Sequence, residues 1–352
     1  MQRVFIVGGF CTDFIGKYHP AFIWKKHPDF GKRSNPTLES YIRDAVIEGL
    51  GQAGAAAAAV DRAYIGNFAG ELFENQGHLG AMVASVDPDL DGKPIYRVEG
   101  ACASGGLAFH AAYESVRAGF SHVALGVGAE TQNTKSAKEG ADYLARASHY
   151  ATQRNIDPIF TFPCMFARRM KENIDSGRLS MTDCARVAVK AYRNANMNPK
   201  AHMKARKMTL EMASSSGDDN PTFLGNPDYT DYLRISDCSQ VSDGGAGVVL
   251  CSEEGLKRIG KKMSDCIEVL SSVISTSSLR ATTNALALDT VAACAKLAYT
   301  EAKVEPDDVH VAEVHDCFTV AELLMYEALG FAEEGKAPSL IESGETEIDG
   351  RI

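Results

Sequence analysis

The first 125 residues alternate short apolar runs with helical stretches, and this alternation narrows the chain to a few architectures. Phe5-Ile6-Val7 reads as a buried strand. Thr37 can cap the helix that follows, in which Tyr41, Ala45, Val46 and Leu50 share one face. Ala63-Tyr64-Ile65-Gly66 reads as a second strand. Leu107-Ala108-Phe109-His110-Ala111-Ala112 belongs to a helix that stops at Gly119, and residues 122–128 form a strand ending in glycines. Strand–helix–strand order of this kind predicts an α/β fold with a parallel sheet covered by helices.

From about 129 to 237 the pattern changes to helical pieces and polar loops such as Ser214-Ser215-Ser216-Gly217-Asp218-Asp219, as expected of an insertion. Regularity returns at Ser242-Asp243-Gly244-Gly245-Ala246, a tight turn that feeds a buried strand and reads as structural. The last segment partly repeats the first. A helix from about Pro36 leads through Val60-Asp61-Arg62 into a strand; a helix from about Asn284 leads through Val304-Glu305-Pro306-Asp307-Asp308 into an expected strand at Val309-His310-Val311-Ala312-Glu313. The expected division is 1–128 and 238–258 for a first half, 129–237 for the insertion, and 259–352 for a partial second half.

With 352 residues, 45% of them hydrophobic, the chain can bury a large core in two domain-like halves. Its net charge of −10 argues against general binding to nucleic acid or anionic membrane. Nine cysteines lack CxxC or Cys/His ligand spacing, which disfavours a zinc site and favours a reduced, soluble intracellular setting. Cytoplasm, peroxisome and mitochondrial matrix all remain open. No apolar run approaches the roughly 20 residues a bilayer span needs. The opening Val4-Phe5-Ile6-Val7-Gly8-Gly9 is a strand-and-turn pattern, so no cleavable leader is expected.

Cys102 sits among small residues in Gly100-Ala101-Cys102-Ala103-Ser104-Gly105-Gly106, ahead of a helix. Backbone N–H groups at a helix start favour a thiolate, and glycines admit a substrate close to the backbone. A structural cysteine at a tight turn fits the same residues. His315 and Cys317 end the expected hydrophobic strand, where functional side chains of α/β sheets gather. The histidine can donate to a developing oxyanion and the thiol can exchange protons. A His-Asp capping pair with Cys317 in the core is the competing reading. Between Met165 and Lys207 stand eleven Lys and Arg but three acidic residues, net +8. Such a stretch suits a polyanion such as the phosphates of coenzyme A, or else forms a solvated helical face.

Together these residues resemble the thiolase superfamily, with the likeness strongest to the branch of the sterol carrier protein 2 thiolase domain. Four stretches carry it: Gly100 to Gly106 with Cys-x-Ser kept, Ser242 to Ala246, Glu313-Val314-His315-Asp316-Cys317-Phe318 with the branch's HDCF motif, and Tyr326-Glu327-Ala328-Leu329-Gly330. The resemblance implies a five-layered αβαβα sandwich of two similar βαβαβαββ halves with an inserted loop domain. It implies that Cys102 is acylated, that His315 helps form an oxyanion hole and that Cys317 is an acid/base. The insertion would then hold coenzyme A, with Arg168, Arg169, Lys204 and Arg206 as candidate contacts. The family pattern continues with Gly-His-Pro and Cys-x-Gly motifs that these 352 residues do not contain, so the second half is expected to be incomplete as given.

The expected activity is 3-oxoacyl-CoA thiolysis, or the reverse Claisen condensation, in lipid metabolism. Acyl-CoA and coenzyme A are the substrates and no cofactor is permanently bound. A homodimer, in some settings part of a larger assembly, is the expected state. The alternative is a weakly active or inactive thiolase-like protein that binds acyl-CoA or acts as a scaffold subunit.

Overall fold

The computed structural model describes residues 1–279 and 284–352, which form two compact units. One comprises Met1–Ser136 with Val241–Ile274, the other Ala137–Gln240 with Ser275–Ile352. The segment expected as an insertion therefore shares a unit with the carboxyl-terminal segment.

The first unit is built on a six-stranded sheet in the order β3-β2-β4-β5-β1-β6. Its strands are β1 (Phe5–Cys11), β2 (Arg62–Gly66), β3 (Ile95–Val98), β4 (Val123–Glu130), β5 (Gly244–Cys251) and β6 (Ile267–Glu268). β2 runs parallel to β3 and β4, whereas β5 is antiparallel to β4 and β1, and β6 to β1. The sheet is thus mixed, not parallel as the alternation predicted. β4 and β5 are joined by the long excursion through residues 137–240, a connection long enough for either direction, so the local alternation did not determine how the strand returns.

Side-chain alternation sorts two apolar clusters onto the two faces of this sheet. Ala63, Ile65, Leu125 and Val127 belong to one apolar cluster with Ile42, Ala45 and Val46 of the helix Leu38–Ala53. Tyr64 and Ala124 face the helix Ser104–Arg117, packing with Ala108, Ala112 and Val116. Full burial of Ile65 or Leu125 is worth about 1.5–3 kcal/mol each. The Leu38–Ala53 helix starts as expected: Thr37 Oγ1 accepts from Ser40 N at 3.2 Å and Gly54 ends it in the left-handed region. Glycine is required at 247, where a Cβ would lie 2.2 Å from the Ala45 carbonyl oxygen. Asp243 accepts from the backbone N–H groups of Gln132 and Asn133 at 2.6 and 3.0 Å, so the Ser242–Gly245 turn is structural.

The second unit is helical. Thr161–Asp175, Met181–Met197, Thr319–Ala328 and Ala337–Ser343 contribute Ala167, Met170, Val187, Leu323, Leu324 and Leu340 to one apolar core. Ser180 and Asp183 form a reciprocal capping box at the start of the second of these helices. Of the expected repeat, the second copy forms the helix Asp289–Ala302 and the turn Pro306–Asp308, as the first forms Leu38–Ala53 ahead of Val60-Asp61-Arg62 and β2. The strand expected at 309–313 does not form. A strand needs a ladder partner, and among the described residues none pairs with this segment, in which Val311 is 77% exposed.

Charge shapes this unit as strongly as apolar packing. Arg178 bonds Glu327 and Glu334 at 2.5 Å each, Arg186 reaches Glu342 at 3.1 Å, Lys190 pairs with Glu322, and Arg193 with Glu347. Much of the net positive charge of residues 165–207 is met by carboxylates of residues 322–347 in the same unit.

Candidate active site

Cys102 belongs to the first unit. β3 delivers the chain to Val98, and a single turn, Ala101–Ala103, carries Cys102 into the helix Ser104–Arg117. The turn is held from both sides. Ser104 Oγ donates to the Ala101 carbonyl at 2.7 Å and accepts from Gly100 N at 3.0 Å, while Ala101 N donates to Glu99 Oε1 at 2.6 Å. Ala101 adopts φ +49°, a left-handed conformation unfavourable for a residue with a Cβ. The strain is local to the turn that presents the thiol. Gly66 lets the helix start sit against the end of β2, since a Cβ there would be 2.1 Å from the Ser104 carbonyl.

Cys102 is exposed, as a nucleophile must be. The helix start was expected to lower its pKa, but the thiol is held above its ordinary value. Removal of water by the surrounding protein pushes it up, its own backbone N–H pulls it down, and the Glu130 carboxylate adds to the upward push. The thiol form therefore prevails near neutrality, and reaction requires a base to take its proton.

Glu130 was not singled out in the sequence, although its place at the carboxyl end of β4 was a usable signal. The parallel register aligns Gly66 with Val98 and with Gly128, so Glu130 and Cys102 follow the same edge of the sheet. Phe68 N donates to Glu130 Oε1, while Oε2 is buried with no hydrogen-bond partner. Burial raises this carboxyl above its ordinary range, against the downward pull of the Phe68 and Ala69 N–H groups and of Gln132.

His315 and Cys317 belong to the second unit, in the segment that leads into the helix Thr319–Ala328. His315 is exposed, yet loss of water around the ring holds the imidazole below its ordinary value. A neutral imidazole still offers one N–H to an acceptor. The Cys317 carbonyl accepts from Ser239 N at 3.0 Å, and Phe318 pairs with Cys238 in an isolated antiparallel bridge. Thr319 Oγ1 donates to Asp237 Oδ1 at 3.0 Å, and Asp237 is in turn paired with the buried Arg234. The His-Asp step does not cap the helix Thr319–Ala328, whose start carries no side-chain cap hydrogen bond.

The candidate coenzyme A contacts have partners of their own. Arg169 Nη1 donates to the carbonyls of Asn284, Ala285 and Ala287 at 2.9–3.2 Å, and burial lowers its pKa. Through Nη1 this guanidinium closes the unit's own backbone. Lys204 Nζ donates to the Pro199 carbonyl at 2.6 Å, and Arg168 stands 3.8 Å from Glu172. Arg206, two residues after Lys204, is exposed on a loop.

Residues 29–254 match the family model described as "Thiolase, N-terminal domain", and residues 271–352 match "Thiolase C-terminal domain-like". An acetyl-CoA acetyltransferase of Methanocaldococcus jannaschii is 31% identical over 91% of this chain and 78% of its own length. Sterol carrier protein 2 of Oryctolagus cuniculus is 26% identical over 100% of this chain and 60% of its own length. The solved Ltp2-ChsH2(DUF35) aldolase superposes with a TM-score of 0.75 at 22% identity, covering 99% of this chain and 82% of that one. No helix among the described residues is long and apolar enough to cross a membrane. With both family models matched in order and a mixed sheet carrying Cys102 at its edge, the chain belongs to the thiolase family.

Proposed function

We propose that this protein is an acyl-CoA acyltransferase of the thiolase type, acting on 3-oxoacyl-CoA through an acyl-Cys102 intermediate. The observation that carries the proposal is the placement of Cys102, an exposed thiol on a tightly bonded, strained turn at the carboxyl edge of a parallel strand. Structural cysteines of the same chain, such as Cys164, Cys184 and Cys251, are buried instead.

In the forward reaction a base takes the Cys102 proton and the sulfur attacks the 3-oxo carbonyl carbon. The C2–C3 bond then breaks, and its electron pair leaves with the C2 carbon of the released acyl-CoA. That carbon takes a proton from an acid, for which Cys317 is the candidate. The acyl group remains on Cys102 as a thioester until the thiolate of free coenzyme A attacks it and regenerates the cysteine. His315 would donate to an oxygen that gains charge in these steps, and its low pKa keeps it a neutral donor. Covalent catalysis divides one hard step into two.

The test is steady-state thiolysis of a 3-oxoacyl-CoA by the protein and by Cys102→Ala. Turnover in the first and loss of at least about a thousandfold in the second are expected for removal of a covalent nucleophile. Equal turnover in both contradicts the proposal.

A further inference from the structure

Three consecutive residues of one loop hold three consecutive residues of the segment that carries Cys317. Asp237 Oδ1 accepts from Thr319 Oγ1 at 3.0 Å, Cys238 and Phe318 face each other in an antiparallel bridge, and Ser239 N donates to the Cys317 carbonyl at 3.0 Å. The pairing follows the order that antiparallel backbones dictate. The loop is itself anchored. Arg234 Nε donates to Asp237 Oδ2 at 2.8 Å, and its Nη2 donates to Oδ1 at 3.2 Å and to the Met181 carbonyl at 3.3 Å. Ser236 N donates to Asn220 Oδ1 at 2.9 Å.

Exposure changes steeply along this stretch. Arg234 and Asp237 are 2% and 1% exposed, and Phe318 and Thr319 are buried. Cys317 is only partly buried and His315 is exposed. The thiol therefore stands on a backbone that is locked in the interior one and two residues later. A buried ion pair stabilises a fold little better than apolar residues of the same volume. What Arg234 and Asp237 supply is direction: the forked guanidinium fixes both carboxylate oxygens, and one of them also receives the Thr319 hydroxyl. No side chain caps the helix Thr319–Ala328, so this hydroxyl ties the helix start to the loop.

We propose that Asp237, braced by Arg234, is a positioning residue for the reaction: it holds Thr319 and, with the backbone of 238–239, sets where Cys317 stands. This rests on the reading of Cys317 as the acid that protonates the departing C2 carbon.

The test compares Thr319→Val, which keeps the shape and loses the hydroxyl, with Thr319→Ser, which keeps the hydroxyl. Two quantities are read: amide hydrogen exchange by mass spectrometry, with the helix Leu38–Ala53 as reference, and thiolysis kinetics. Thr319→Val is expected to raise exchange of residues 315–319 by roughly tenfold, the size of one lost hydrogen bond to a charged group, with the reference helix unchanged. Its kcat is expected to fall roughly tenfold with KM for the 3-oxoacyl-CoA within about twofold, since the change moves the proton donor and leaves binding alone. Thr319→Ser is expected to restore both to within about threefold of wild type.

Equal exchange of 315–319 in the two variants overturns the proposal. So does a wild-type kcat in Thr319→Val of an active protein, or a loss of activity matched by faster exchange throughout the chain. Exchange that separates the variants in a protein without thiolysis supports the hold on the segment and removes the enzymatic reading instead. Should Thr319→Val fail to fold, Thr319→Ala is read against Thr319→Ser by the same criteria.

Discussion

Phe318 stacks on Phe166 with ring centroids 4.3 Å apart and planes 21° from parallel, which joins the last residue of the HDCF segment to the helix Thr161–Asp175. Phe162 adds a tilted contact at 6.0 Å, and Phe318 is 5% exposed. Phe318→Ala should cost about 3–5 kcal/mol through the cavity and the lost stacking. Phe318→Leu should cost less, because part of the volume is refilled. Denaturant unfolding of both variants measures the difference.

Ala101 sets the direction of the Cys102 turn at φ +49°. Glycine reaches that conformation without strain, so Ala101→Gly should be neutral or stabilising by up to about 1 kcal/mol. A β-branched side chain is far less tolerant there, and Ala101→Val should destabilise by roughly 1–3 kcal/mol. Unfolding midpoints of the two variants check the order, and a glycine variant less stable than the valine variant contradicts it.

Two carboxyl groups of the second unit should give stability opposite pH dependences. Burial raises the pKa of Asp157, but backbone N–H bonds from Phe160, Ile159, Asn226 and Gly225 at 2.7–2.9 Å outweigh it and leave the group below its ordinary value. A depressed folded value gives stability that is present above the unfolded pKa, near 4, and lost as pH falls through the folded value. Asp316 is raised to about 6, chiefly by burial. Its contribution is present below the unfolded value and lost as pH rises through about 6. Asp316→Asn should therefore stabilise the protein at pH 8 by roughly 1–3 kcal/mol and change little at pH 4. Asp157→Asn should destabilise it at pH 7 by roughly 1–3 kcal/mol. Thermal unfolding across pH reads both.

The helices and strands of the first unit were legible because their periodicity coincides with their packing. Thr37, Tyr41, Ala45 and Leu50 lie where a 3.6-residue repeat places them, and Gly119 ends its helix region with φ +83°. Strand direction was not legible. Nothing local in Gly244–Cys251 records that the chain returns antiparallel to β4, and a long connection allows either direction. The strand expected at 309–313 failed for a related reason, since alternating valines form a ladder only beside a partner. The Cys102 turn was visible as a small-residue frame, but its raised thiol was not, because the loss of water that pushes it up, and the smaller push of Glu130, come from packing and sheet register and not from sequence. The excess charge of residues 165–207 was countable, whereas its neutralisation by Glu322, Glu327, Glu334, Glu342 and Glu347 depends on tertiary contacts more than a hundred residues apart.

The fate of Arg169 yields a sharp expectation. The Asn284 and Ala287 carbonyls lose their Arg169 donor in Arg169→Ala, while Ala285 keeps the Asn173 amide, so stability should fall by roughly 2–4 kcal/mol. KM for coenzyme A of the folded fraction should stay within about twofold, since the guanidinium is spent on the chain itself. A large rise in KM with unchanged stability would instead support Arg169 as a phosphate contact.

Acylation of Cys102 is the step on which the functional account turns, and peptide mass spectrometry after incubation with acetyl-CoA or a 3-oxoacyl-CoA reads it directly. The account predicts a mass gain equal to the acyl group on the peptide that contains Cys102, reversed by added coenzyme A and absent from Cys102→Ser. A folded protein that gains no acyl group, or gains it only on another cysteine, would contradict it.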